Sequence, residues 1–291
     1  MASNSLEIKR RISSIKSINK ITRAMELVST AKLQKLKREL DSKKNYFSFS
    51  FDTIQKIFSQ VKINEVRGLN KKLFLPENDK KIFIIVSSNL GFCGGYNNNL
   101  FKKLLKVINK DKDIVVPIGK KAKMFCKNND IKIIENINLK VDAISFSEIR
   151  VIAVNILSLI YKGEYGQVHC CYTKFINSIL YEPTIVQILP IDQETLKKDI
   201  KNNQKEGTIF EFEPDVGLIL QKMVPIYLNS SIYGFVKESE VSEQASRRQS
   251  MESATDNANK IKEKLELEYN RARQAKITTE ISEIVGGAEA L

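Results

Sequence analysis

The distribution of glycine and proline along this 291-residue sequence constrains its fold more than any other feature. No Gly or Pro occurs before Gly68, and none occurs between Gly234 and Gly286. All six prolines lie between those two tracts. Because Gly and Pro end helices and make turns, the sequence predicts a long helix at each end of the chain and a turn-rich module between them.

The first helix is expected from about residue 6 to about residue 63, which at 1.5 Å per residue is about 85 Å. A helix of this length exceeds a compact domain and needs a partner along its length. Apolar residues in both end tracts step by three and four, with slips, which predicts an irregular coiled coil with a slip near Ile18. The stepping residues are Ile8, Ile12, Ile15, Ile18, Ile21, Met25, Val28, Leu33, Leu36 and Leu40, then Ala254, Ala258, Ile261, Leu265, Ile277, Ile281, Ile284, Ala288 and Leu291.

Charge supports pairing of the two ends. Residues 1–67 hold 15 Lys or Arg and 6 Asp or Glu, a net charge of +9, whereas residues 237–291 hold 9 and 11, a net charge of −2. Because a domain-sized insert separates the two ends, an antiparallel pair is the simplest arrangement. The net charge of +13 for the whole chain predicts an acidic partner surface in addition.

The middle of the chain alternates strand and helix signals, which predicts a Rossmann-like α/β domain with a mainly parallel sheet. Strands are expected at "KIFIIVSSN", "DIVVPIG", "IKIIEN", "QVHCCYTKF" and "PTIVQILP", and helices near residues 99–108, at "KKAKMFCKN" and at "FSEIRVIAVNILSLIYKG". The predicted fold class is therefore mixed α+β. Residues 1–65 and 210–291 form a long antiparallel two-helix coiled coil, and residues 70–205 form the central α/β domain.

The segment "SNLGFCGGYNN" follows a strand and precedes a helix, which is where a phosphate-binding loop lies. It lacks the Lys and Ser/Thr of the Walker pattern, and its glycines do not give GxGxxG. A tight structural turn is therefore the favoured interpretation. A nucleotide-dependent enzyme built on the α/β layer is kept as a second hypothesis.

The cysteines and the single histidine give no catalytic or metal-binding pattern. No CxxC pair occurs among the four cysteines, so we expect reduced, mostly buried thiols, no metal and no cofactor. His169 and Cys170 are neighbours in a predicted strand, and their side chains should point to opposite faces of the sheet. We also expect no signal peptide, no transit peptide and no membrane span.

A basic stripe follows one side of the first helix. Lys9, Lys16 and Arg23 are seven residues apart, with Lys20 beside them. A solvated helix face explains this pattern, and so does a partner surface on an acidic protein or a nucleic acid. Residues 1–45 hold no aromatic side chain for base stacking, which weighs against single-strand binding. A basic coiled-coil protein that binds nucleic acid is the third hypothesis.

Several longer motifs resemble the γ subunit of F-type ATP synthases. They are "KITRAMELVSTAKL", "GFCGGYNNNL", "EFEPD", "LNSSIYGFVKESEVSEQASRR" and "MESATDNANKIKEKLELEYNRARQAKITTEISEIVGGAEAL". The motifs occur in the family's order and cover both ends and the centre, whereas residues 120–205 match by pattern more than by motif.

The resemblance implies a central-stalk rotor. In that family the end helices form an antiparallel coiled coil inside a hexamer of α and β subunits, and the α/β domain packs at the base beside the ε subunit and the ring of c subunits. Proton flow turns the ring, and the shaft transmits torque that drives the β sites through their binding states. The chain itself is then non-catalytic, uses no cofactor and couples proton flow to ATP synthesis.

The resemblance also implies partner-binding residues. Contacts with the α/β hexamer are expected from Lys9, Lys16, Lys20, Arg23, Met25, Arg273, Gln274 and Thr278, with acidic loops on the β subunits facing the basic stripe. Contacts with the c ring and ε are expected from Phe210, Phe212 and Glu213. Helix packing is the alternative role for Met25, and a turn is the alternative for "EFEPD". No nucleic-acid partner is implied, and the membrane is reached only through the complex, at the cytoplasmic face of the bacterial plasma membrane.

Overall fold

The structure is a computed structural model that describes residues 2–60, 71–134, 144–191, 213 and 215–289. The elements in chain order are α1 (Ala2–Gln60), a 3₁₀ turn (Lys71–Leu73), β1 (Lys81–Val86), α2 (Tyr96–Leu105), β2 (Ile114–Ile118), α3 (Lys120–Asn128), α4 (Phe146–Lys162), β3 (Gln167–Phe175), β4 (Tyr181–Leu189) and α5 (Val216–Glu289). The chain divides into two compact units, residues 1–32 with 247–291 and residues 33–246.

The two long end helices are confirmed, with 59 residues in α1 and 74 in α5. α5 begins earlier than the glycine and proline distribution suggests, because it continues through Pro225 and Gly234. A proline inside a helix removes one backbone N–H and weakens the local turn. Leu220, Val224 and Leu228 are fully buried beside it, so packing of this segment compensates for the weakened turn.

The sheet of the second unit is mainly parallel, as predicted. Its strand order is β2-β1-β3-β4, with β1 parallel to β2 and β3, and β4 antiparallel to β3. The predicted strand "IKIIEN" is wrong in its described part, residues 131–134, where only one parallel bridge joins Val115 and Ile133. The chain leaves α3 through Asp130 at a φ of 54°, and the two backbone hydrogen bonds that Lys132 and Ile134 make with β2 both involve Val115, too few for a regular strand.

Both faces of the sheet are covered, which explains the continuous apolar runs of its strands. Along β1, Ile82 and Ile84 point into the cluster with α4 and the first turns of α5. Phe83 and Ile85 point into the opposite cluster with α2 and α3. This alternation gives the second unit two apolar layers, one on each side of β1.

The helix predicted at "FSEIRVIAVNILSLIYKG" is confirmed as α4, and a capping residue is present at each of its ends. Ser145 caps its start and exchanges hydrogen bonds with Glu148, which forms a capping box. Gly163 ends it in the left-handed region at a φ of 76°, where a side chain would be strained.

Candidate functional site

In the first unit, α1 and α5 pack against each other in antiparallel fashion. Lys16 lies 3.6 Å from Glu266, Asn19 donates to Asn259 at 2.9 Å, and Thr22 Oγ1 lies 2.9 Å from Thr255 Oγ1. As the contacts advance along α1 they recede along α5, which establishes the antiparallel direction within this unit.

The seam between these helices is polar in its middle. Thr22 is 9% exposed and Ser29 is 2% exposed, and the Asn19 side chain also donates to the Thr255 carbonyl at 3.2 Å. The seam is apolar nearer the start of α1. Ile12 is buried there, and Ile15 is half-buried. Polar layers in a coiled-coil seam lower stability and fix the register.

The predicted slip near Ile18 is wrong. Buried and half-buried positions of α1 step by three and four without a break, through Ser5, Ile8, Ile12, Ile15, Asn19, Thr22, Glu26, Ser29, Leu33, Leu36 and Leu40. Ile18, Ile21 and Val28, taken from the sequence as seam residues, are 48%, 59% and 55% exposed. The apolar pattern misled because polar residues hold the seam here while aliphatic residues face outward.

The four residues of the predicted basic stripe, Lys9, Lys16, Lys20 and Arg23, are all exposed. Two of them have carboxylate neighbours within the unit: Lys16 pairs with Glu266, and Arg23 pairs with Glu26 at 3.0 Å. The Lys16–Glu266 pair is exposed on both sides, and a pair of this kind contributes at most about 1 kcal/mol. A carboxylate on a partner can therefore replace Glu266 at small cost, whereas the Glu26 side chain is only 14% exposed.

A groove of about 370 Å³ lies between the two helices at the start of α1. Its polar lining includes Arg10 and Arg11, and its apolar lining comes from Ile15, Ile261 and Leu265. Arg11 also pairs with Glu7 at 2.7 Å. The groove adds to the positive, partly apolar surface of this unit.

The other predicted partner-binding residues fall in three places. Met25 is half-buried on α1, whereas Arg273, Gln274 and Thr278 are exposed on α5, where the Thr278 hydroxyl donates to the Gln274 carbonyl at 3.0 Å. Glu213 is exposed. Phe210 and Phe212 lie outside the described residues.

The Gly-rich segment is a tight loop between β1 and α2. Gly94 has a φ of 54°, and the Asn97 side chain donates to the Ser88 hydroxyl at 2.7 Å and accepts from the Ser88 N–H at 3.1 Å. The Cys93 carbonyl accepts from Ser246 of α5 at 2.7 Å. These contacts give the loop a structural role, in agreement with the favoured interpretation of its sequence.

The strand β3 separates the side chains of His169 and Cys170 as expected, because the His169 ring lies against Phe83 of the opposite cluster. Cys170 points into the cluster with α4, and Cys171 points into the cluster with α2 and α3. Burial raises the pKa of both thiols, and burial together with Lys81 lowers the pKa of His169 to about 4. Thiols with a raised pKa form little of the nucleophilic thiolate, and an imidazole with a lowered pKa is a weak base.

The described part of the chain lacks two further kinds of feature. No group of three or more His, Cys, Asp or Glu side chains there is arranged to hold a metal ion. No helix there combines the length and apolar character that a bilayer crossing requires.

The sequence-based prediction missed Ser239, Ser242 and Ser246 of α5. All three are fully buried and bond to the loop after β1 or to the end of β3. Their spacing of three and four in "YGFVKESEVSEQASRR" was a readable signal, because it puts three hydroxyls on one helix face.

Comparison with known proteins identifies the family. The family model described as ATP synthase matches residues 4–291. The ATP synthase gamma chain of Mycoplasma mycoides subsp. mycoides SC is 40% identical over 288 residues, covering 97% of each chain, and that of Clostridium pasteurianum is 36% identical, covering 100% of this chain and 99% of its own.

Solved structures support the fold. A chain of the Euglena gracilis mitochondrial ATP synthase, solved with OSCP, F1 and the c ring, has a TM-score of 0.65 at 18% identity, with 100% of this chain and 95% of that chain covered. A chain from the central stalk and c ring of the Tetrahymena thermophila enzyme has a TM-score of 0.58 at 24% identity, with 80% and 99% covered. From the family match and the near full-length identity, the chain belongs to the ATP synthase gamma-chain family.

Proposed function

We propose that this chain is the central-stalk rotor of an F-type ATP synthase, which transmits torque from a proton-driven c ring to a catalytic hexamer of α and β subunits. Conformational coupling of this kind links distant sites through a moving element and requires no bond chemistry in that element. The chain then has no catalytic residues of its own and contributes to the ATPase activity of the complex only through its contacts.

The observation that carries this proposal is the outward-facing apolar surface of the first unit. Large aliphatic side chains on both helices are between 44% and 72% exposed: Leu6, Ile18, Ile21, Leu27, Val28, Ile261, Leu267, Ile277, Ile281, Ile284 and Val285. Exposed apolar area of this extent marks an interaction site. This apolar surface occurs on both helices of the antiparallel pair. A partner assembly that surrounds the pair therefore covers the surface better than a partner on one side.

The basic residues fit acidic loops of a surrounding hexamer. Lys9, Lys16, Lys20 and Arg23 are exposed, and the exposed ion pair of Lys16 with Glu266 is weak enough to exchange. A rotor must break each contact as it turns. Several weak, replaceable pairs suit that requirement better than one strong buried pair.

Met25 adds an apolar contact beside Arg23 in this proposal. Arg273, Gln274 and Thr278 extend the hexamer contacts along α5, where all three are exposed. The exposed aliphatic residues that follow them, Ile281, Ile284 and Val285, then meet an apolar bearing of the hexamer.

At the base we propose contacts with the c ring and the ε subunit through Phe210, Phe212 and Glu213. In functional terms, residues 1–65 and 210–291 act as the shaft and residues 70–205 as the base. The membrane is reached only through the complex, at the cytoplasmic face of the bacterial plasma membrane, as expected for a relative of bacterial gamma chains.

Co-expression of the full chain with candidate bacterial α and β subunits tests the proposal. We expect a complex with three α, three β and one copy of this chain by native mass spectrometry, with ATPase activity. A chain that fails to join the hexamer, or a hexamer with unchanged activity in its presence, would contradict the rotor function.

The two other hypotheses are tested on the isolated full chain. Saturable binding of ATP or NAD would support the nucleotide-dependent enzyme. Tight binding to duplex DNA or RNA that weakens steeply with salt would support a nucleic-acid-binding coiled coil. We expect neither. α5 contacts the loop after β1, and the exposed aliphatic side chains beside the basic stripe fit a protein partner better than a phosphate backbone.

A further inference from the structure

Three serines of α5 lie on one helix face and are completely buried. Ser239, Ser242 and Ser246, here called the serine row, follow steps of three and four and are each 0% exposed. Serine is mostly an exposed residue in proteins. A buried hydroxyl needs a hydrogen-bond partner. For Ser242 one partner is the Glu238 carbonyl of its own helix at 3.1 Å, and the remaining bonds of the serine row reach other elements.

Ser239 bonds to two elements of the α/β domain. Its Oγ accepts from the Thr173 N–H at 3.2 Å and lies 2.7 Å from the Tyr96 hydroxyl, which also donates to the Ser239 carbonyl at 3.1 Å. Burial raises the pKa of Tyr96 well above its usual value, with Glu243 adding to the effect. The phenol therefore stays protonated and remains a donor.

The other two serines bond to main-chain atoms. Ser242 Oγ donates to the Thr173 carbonyl at 3.0 Å, and Ser246 Oγ donates to the Cys93 carbonyl at 2.7 Å. Beside them, Glu238 accepts from the Phe175 N–H at 3.1 Å. Main-chain partners cannot rotate away as side chains can, so these bonds define the position of α5 along its axis.

The serine row lies where open α/β sheets usually bind ligands. That place is the crevice beyond the carboxyl ends of the strands, where the strand order reverses. In this sheet β1 has β2 on one side and β3 on the other, so the strand order reverses at β1. The serine row contacts the loop after β1 and the end of β3. The Gly-rich turn brings the Cys93 carbonyl and Tyr96 within reach of the helix.

We infer that the serine row is a joint that fixes α5 axially and rotationally on the α/β domain, so that torque passes between them without slip. This inference rests on the proposed rotor function. Apolar packing is non-directional and permits a helix to roll, whereas hydrogen bonds are directional. On another face of α5, Val241 and Ala245 pack on Leu33, which gives apolar contact without such direction.

Hydrogen exchange on the full chain tests the joint independently of any activity. Ser239→Ala removes the acceptor of the Thr173 N–H, so we expect the Thr173 amide to exchange at least about tenfold faster. Val241→Ala, a buried change two residues from Ser239 on another face of α5, keeps every serine hydrogen bond and serves as the matched control. Equal exchange rates of the Thr173 amide in the Ser239→Ala variant and the wild type would overturn the inference that the serine row is a joint.

Coupling in the assembled enzyme is the second test. In membranes carrying the complete synthase, we expect Ser239→Ala/Ser242→Ala/Ser246→Ala to hydrolyse ATP while the protons pumped per ATP fall at least about threefold. The single variant Ser242→Ala should give a smaller fall in protons pumped per ATP. It keeps the test possible if the triple variant does not assemble. Val241→Ala should pump as the wild type does.

The outcomes separate the two proposals. If the wild-type chain fails to assemble or to pump, the rotor function is overturned. If the wild type pumps and the serine variants only lower thermal stability while pumping as many protons per ATP, the joint is overturned and the rotor function stands.

Discussion

Thr22 and Thr255 occupy a seam position that an apolar coiled coil would fill with aliphatic residues. The Thr255 hydroxyl contacts both Thr22 Oγ1 at 2.9 Å and the Met251 carbonyl at 2.8 Å. Two threonines therefore share a buried layer that two aliphatic residues would fill in a more stable coiled coil. Asn19 and Asn259 form a second polar contact one turn away, so register here depends on hydrogen bonds.

Valine substitutions measure this polar layer. Thr22→Val removes one partner, and we expect a loss of no more than about 1 kcal/mol because Thr255 keeps the Met251 carbonyl. Thr22→Val/Thr255→Val replaces both hydroxyls with methyl groups and should make the chain at least as stable as the wild type. Urea unfolding of the full chain gives the comparison. A double variant less stable than either single variant would contradict the expectation.

His169 makes the stability of the chain depend on pH. Its pKa is lowered to about 4, mainly by burial, then by Lys81, with Asp113 acting in the opposite direction. An unfolded chain titrates this group near pH 6.5, so between the two values the unfolded state binds the extra proton. Stability that is present above about pH 6.5 is therefore lost as the pH falls toward 4.

His169→Phe should remove this contribution and keep a ring against Phe83, whose centroid lies 5.3 Å from that of His169. We expect the urea midpoint of the wild type to fall more than that of the variant between about pH 7 and about pH 5. Parallel pH dependence in the two proteins would show that His169 is not the responsible group.

At the scale of the element, α1 shows what periodicity can and cannot predict. Its length and helical character follow from local sequence, and the steps of three and four correctly indicate pairing. The face was assigned wrongly at Ile21 and Val28, because an apolar pattern was taken to mark the seam. The structure has Thr22 and Ser29 in the seam instead, and the aliphatic residues face outward.

A pair of substitutions separates the two assignments. Ile12 is 8% exposed and Ile21 is 59% exposed. Ile12→Ala should lower the free energy of unfolding of the isolated chain by about 2 kcal/mol, while Ile21→Ala should change it by less than about 0.5 kcal/mol. Chemical denaturation of both variants gives the result. Equal losses of unfolding free energy in the two variants would indicate that Ile21 lies in the seam and would contradict the structure.

At the scale of the whole molecule, charge and exposure together point to a protein that functions inside a larger assembly. The net charge of +13 is unevenly distributed, and the N-terminal tract carries most of it. The same helix exposes a row of aliphatic side chains. A surface both basic and apolar fits a partner that offers acidic loops and an apolar lining.

Charge reversal on the basic stripe tests the electrostatic part of assembly. Lys9→Glu/Lys20→Glu should weaken binding of the chain to an α/β hexamer, by about tenfold at low salt and less at high salt, because exposed pairs are screened. Lys123→Glu/Lys127→Glu, an equal charge change at exposed residues of α3, is the control. Binding measured by titration at two salt concentrations decides between them, and equal weakening by both pairs would mean that net charge alone is responsible.

The sequence by itself determined the end helices, all but one of the predicted strands and the family. Helix and strand formation depend on local features such as missing Gly and Pro, capping residues and apolar runs, and long ordered motifs carry the family. Only the tertiary structure decided which side of α1 is the seam, that Pro225 lies within a helix, and that Ser239, Ser242 and Ser246 bond to the sheet. Those outcomes depend on contacts between residues far apart in the chain. Local periodicity can put polar groups such as the three serines on one helix face, but it does not identify the buried partners that they find.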